Sequence, residues 1–75
     1  MSNAVKIVRA LAYTSGVKPH RIFNDRLKDG TRSVKVLGWE LRDYDRAMVV
    51  LRAAGINSMM VKRPKPYEGY RLWID

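Results

Sequence analysis

Gly38 and Gly55 bracket the segment that most limits what this chain can fold into. Between them Ala47, Met48 and Leu51 recur at helical spacing, which predicts a helix from Arg42 to about Ala54 with one buried stripe. Gly55-Ile56 reads as a left-handed stop, a backbone shape that glycine takes up without steric penalty. Leu37-Gly38 marks a sharp corner in front of the helix. Behind the stop, Met59 and Val61 alternate with Met60 and Lys62, and Tyr70, Leu72 and Ile74 alternate with Arg71 and Trp73. Such alternation predicts two half-buried antiparallel strands. Pro64 and Pro66 exclude regular structure between them and leave residues 64 to 68 as a stiff loop tip.

The N-terminal half divides less cleanly. Asn3 is a plausible cap for a helix from Ala4 to about Thr14, with Ala4, Ile7, Val8 and Leu11 turned inward and Lys6, Arg9 and Tyr13 towards water. Around Asp29-Gly30 two structures compete. Local propensity favours a hairpin of Arg21 to Lys28 with Thr31 to Trp39, because Asp-Gly suits a tight turn and Val34 and Val36 are β-branched and two apart. The downstream spacing favours a short helix from Arg32 to Leu37, capped by Thr31. It constrains seven positions together and therefore carries the expectation.

The interval from Leu37-Gly38 to Gly55-Ile56, followed by a hairpin, resembles the helix-turn-helix of winged-helix transcription regulators, the GntR-like group in particular. The resemblance implies an α+β fold of helix, short helix, recognition helix and C-terminal β-hairpin wing. The alternative is an α-ββ-α-ββ antiparallel sheet. It also implies that Arg42 and Arg46 reach base edges while Arg63 and Lys65 on the wing hold the phosphate flank. Tyr44 turns inward, and Asp43 serves the helix start as a carboxylate near its N-terminus. One unit spans residues 1–75.

Composition supports a polyanionic partner. The chain carries 15 Lys and Arg against 7 Asp and Glu, a formal charge of +8, so counterion release from phosphates would supply affinity. The charge is uneven, with +6 on residues 1–36, zero on 37–56 and +2 on 57–75. Lys62, Arg63, Lys65 and Arg71 around Tyr67 and Tyr70 are the best local cluster for phosphate contact, and Arg32 and Lys35 belong to a second. Val49 should point outward once the inward stripe is filled. With Trp39 and Tyr67 it is a candidate for a protein interface.

Enzymatic readings find little footing. Asp43 and Asp45 are two apart on a helix and diverge, His20 has no catalytic partner, and no phosphate-binding glycine loop is present. Without cysteine, and with a single histidine, no metal site or cofactor is expected, nor any small-molecule ligand. The longest apolar run, Ala47 to Leu51, is far short of the roughly 20 residues of a bilayer span, and no signal-peptide pattern opens the chain. A cytoplasmic location follows as an expectation.

The function expected first is therefore a small DNA-binding transcription regulator that acts by occupying duplex DNA, with a homodimer supplying specificity. A protein-binding inhibitor or adaptor of a nucleic-acid enzyme, of the kind mobile elements encode, is the alternative on the same fold. A third reading, a non-specific binder of RNA or single strands, goes with the four-stranded sheet. Residues 32 to 37 decide between the folds.

Overall fold

The computed structural model describes residues 3–26, 29–62 and 70–74, along which the chain runs helix, hairpin, helix, hairpin. Helix α1 spans Asn3–Thr14, and one turn of 3-10 helix at Pro19–Arg21 leads into strands β1, Ile22–Arg26, and β2, Arg32–Val36. Helix α2 spans Leu41–Ala53, followed by β3, Ser58–Lys62, and β4, Tyr70–Ile74. The four strands form one antiparallel sheet in the order β1-β2-β4-β3.

Residues 32 to 36 are thus a strand, and the short helix expected from Arg32 to Leu37 is not formed. Ile22 lies across from Val36 and Arg26 across from Arg32, with Asp29-Gly30 in the turn between them. Local chemistry explains the outcome. Val34 and Val36 lose rotamer freedom in a helix but fill a pleated surface well, and both are buried here. At the turn, the Asp29 carboxylate accepts from the Thr31 hydroxyl and from its N–H, which holds the Asp29 pKa below the ordinary carboxylate value. The corner at Gly38, with φ +96°, joins strand to helix rather than helix to helix. What stands is an α+β domain with two helices and a four-stranded sheet, in the α-ββ-α-ββ order.

Helix α2 forms within a residue of its expected limits and stops at Gly55, where φ is +79°. Its start is held by acid groups: the Asp43 carboxylate accepts the Glu40 N–H at 2.9 Å. Tyr44, Ala47 and Leu51 are buried, and Met48 packs against them. In α1 the buried stripe is Ala4, Val5, Val8 and Ala12, with Ile7 and Leu11 at its margin, so it is rotated slightly from expectation. Both helices contribute to one core with Ile22, Val34, Val36, Leu72 and Ile74 from the sheet.

Tyr44 solves a backbone problem in that core. Pairing of β2 with β4 ends at Val34 and Leu72, leaving Val36 beyond the last rung. The Tyr44 hydroxyl accepts from the Val36 N–H and donates to the Val36 carbonyl, both at 3.0 Å. One phenol oxygen replaces the missing strand. Its ring is flanked by Trp39, edge-on at 5.0 Å, and by Tyr70 at 6.2 Å. Burial raises the phenol's pKa, while the Val36 hydrogen bond and the Arg71 charge pull it down by less.

Candidate nucleic-acid interface

Because the core residues of the sheet share one parity, the alternate residues emerge on the face away from the helices. Two cross-strand rows result. In one, Phe23 lies beside Lys35, the β2–β4 register carried one step further sets Lys35 across from Arg71, and Arg71 faces Val61. In the other, Asp25, Ser33, Trp73 and Met59 stand in order. Phe23 and Met59 are exposed, and Trp73, Val61, Lys35 and Arg71 are half-buried. Aromatic rings and cations therefore share a pleated surface that neither helix covers.

A diagonal ion pair organises its centre. The Arg71 guanidinium reaches the Asp25 carboxylate at 2.6 Å, although the two strands are separated by β2 and hence by about two strand spacings, roughly 9.5 Å. The line between them passes over Ser33, which is only 1% exposed despite lying on the uncovered face. Serine is small enough to let the guanidinium cross. Ser33→Leu is expected to break this pair and to destabilise the domain by about 1–3 kcal/mol through overpacking. A shift of the urea midpoint measures it, and an unchanged midpoint would contradict the crossing.

The expected site residues fall in different places. Lys35 and Arg71 meet on the open face, and Arg32 is exposed at the start of β2 with the parity of the helix side. Arg42 is exposed and pairs with Glu40 at 3.1 Å. The Arg46 guanidinium donates to the Ser15 hydroxyl at 3.1 Å, which ties it to the end of α1. Neither arginine is presented by a helix-turn-helix, since a strand precedes the corner. Trp39 is buried against Tyr44 and offers no interface, a correction that follows from its place in the core. Val49 does point outward, at 66% exposure. Arg63, Lys65, Tyr67 and the side chain of Lys62 lie outside the described residues.

Sequence reasoning passed over Phe23, Asp25, Ser33 and Trp73 as partners in one surface. The signal was available: opposite parity to Val34 and Val36 gathers them as soon as β2 is taken as a strand. Among the described residues no group of three or more His, Asp or Glu side chains is placed to hold a metal ion, and no helix is long and apolar enough to cross a membrane. Neither a protein-family model, a curated protein nor a solved structure matches the chain.

Proposed function

We propose that this protein binds single-stranded nucleic acid on the open face of its sheet. The observation that carries the proposal is the placing of Phe23 and Trp73 around Lys35 and Arg71 on a face that neither helix covers. Bases offer flat π-faces for stacking on aromatics, and the phosphates between them meet the cations. A net charge of +8 favours the approach of any polyanion. Duplex DNA, the partner expected first, would have to use α2, whose segment is charge-neutral. A pleated sheet face with splayed aromatics suits unpaired bases better than a closed helix of stacked pairs.

The test is fluorescence anisotropy with one labelled oligonucleotide, presented single-stranded and as its duplex, at two salt concentrations. The single strand is expected to bind at least about tenfold more tightly, with affinity falling steeply as salt rises. Lys35→Ala should flatten the salt slope by about 0.7, the share of one phosphate contact on a single strand. Equal affinity for duplex, or no binding at low salt, overturns the proposal.

A protein-binding role has its own support in α2, where Val49 and Val50 are exposed at 66% and 37%. Val49 and Val50 are adjacent in the C-terminal half of the helix, and an exposed aliphatic pair there is a foothold for a partner.

A further inference from the structure

The helices leave one end of β1 uncovered on their own side of the sheet. There a groove of about 430 Å³ opens between the first turn of α1 and the hairpin, lined by Val5, Asn24, Arg26, Arg32 and Val34, with Asp25 and Ser33 along its wall. Its volume is in the range of small-ligand sites. By alternation the side chains of Asp25 and Ser33 belong to the opposite face, and the Asp25 carboxylate is committed there to Arg71. The groove's own chemistry is two valines, one amide and two guanidiniums.

Two features of this arrangement ask for a ligand. Arg26 and Arg32 are direct cross-strand partners, so two positive side chains leave adjacent strands side by side, a pairing that is unfavourable unless an anion joins it. Arg26 reaches back to the Gly30 carbonyl at 3.1 Å, which leaves most of its donors unused. Arg32 and the Asn24 amide are engaged with no other described residue through their side chains. On the turn itself, the Asp29 carboxylate accepts from Thr31 rather than from either guanidinium.

We propose that this groove is a binding site for a nucleoside monophosphate. The phosphate sits between Arg26 and Arg32, whose planar donors match its oxygens. The base lies at the Val5 side of the groove, above the buried Val34, and the Asn24 amide, one donor beside one acceptor, pairs with its edge as asparagine does with adenine. The site stands on observations separate from those behind the sheet-face reading. Phe23 and Asn24 are neighbours in sequence but point to opposite sides of β1, so the two surfaces are tested independently.

The experiment is a methyl and amide NMR titration of the whole chain with AMP, alongside adenosine and inorganic phosphate. AMP is expected to shift Val5 and Val34 methyl signals saturably, with weaker effects from adenosine or phosphate alone. Asn24→Ala and Arg32→Gln, both at exposed positions, should each weaken AMP by about tenfold or more while signals from α2 stay in place. Absence of a saturable shift at Val5 and Val34 overturns the inference, as do shifts unchanged in both variants. Phosphate alone reproducing the full effect would reduce the groove to an anion site and overturn the nucleotide assignment. AMP shifts at Phe23 and Trp73 only would also refute it while leaving the sheet-face proposal intact. Saturable shifts in the groove, in a chain that fails to bind oligonucleotides, would do the reverse.

Discussion

Tyr44→Phe, the removal of one oxygen atom, is expected to lower the unfolding free energy by about 1–3 kcal/mol. The Val36 N–H loses its Tyr44 partner, while the Val36 carbonyl keeps the Trp39 N–H at 3.4 Å, and a buried polar group left unpaired costs about 1–3 kcal/mol. Phenylalanine keeps the ring between Trp39 and Tyr70, so packing is not the cause. A domain of this length has roughly 4–11 kcal/mol in hand, and the variant should therefore melt well below the parent. Urea titration followed by near-ultraviolet circular dichroism reads the difference, and coincident midpoints would refute the account. Alkali gives a second view of the same group. Burial makes the folded phenol ionise above its ordinary value near 10, so its stabilising contribution is complete below that pH. As pH rises past 10 the unfolded chain gives up its proton first, and stability declines. In the phenylalanine variant that part of the alkaline decline should vanish.

Phe23→Ala should weaken single-strand binding by about 5- to 150-fold, the equivalent of 1–3 kcal/mol for one stacked base. Phe23 is 46% exposed on an edge strand, so the loss of its ring is expected to leave the thermal midpoint nearly unchanged. That separation gives the variant its value. A structural effect would move stability and binding together, whereas a stacking platform moves binding alone. Val49→Ala, on the outer side of α2, should leave oligonucleotide affinity where it was. If Val49→Ala weakened binding and Phe23→Ala did not, the surface would have been assigned to the wrong side of the molecule.

Much of this architecture can be read from the residues. Ala47 and Leu51 at helical spacing, the glycines at 38 and 55, and the alternation of Leu72 and Ile74 each point to the element they form. The exception is instructive. Leu-Gly followed by an amphipathic stretch describes a corner, and a corner can be entered from a strand as well as from a helix. Spacing downstream of Gly38 therefore carried no information about what lies upstream of it. The β-branched pair Val34 and Val36, with Asp-Gly a few residues earlier, did carry that information. The open face was harder to see, because Asp25, Ser33 and Lys35 read singly as an ordinary solvated strand. Only the register brings them under Arg71 and beside Trp73, and register is a property of three strands at once.

The strand order β1-β2-β4-β3 makes the molecule a pair of similar halves, each a helix followed by a hairpin, abutting along β2 and β4 and through the two helices. Such a seam is closed by three central rungs, Arg32 to Val34 against Leu72 to Ile74. Tyr44 belongs to the second half and grips the last residue of β2 in the first, so it works as a stitch across the join. Sliding one hairpin past the other by a residue would turn Leu72 outward and pull that stitch at the same time, which fixes the two halves in a single alignment.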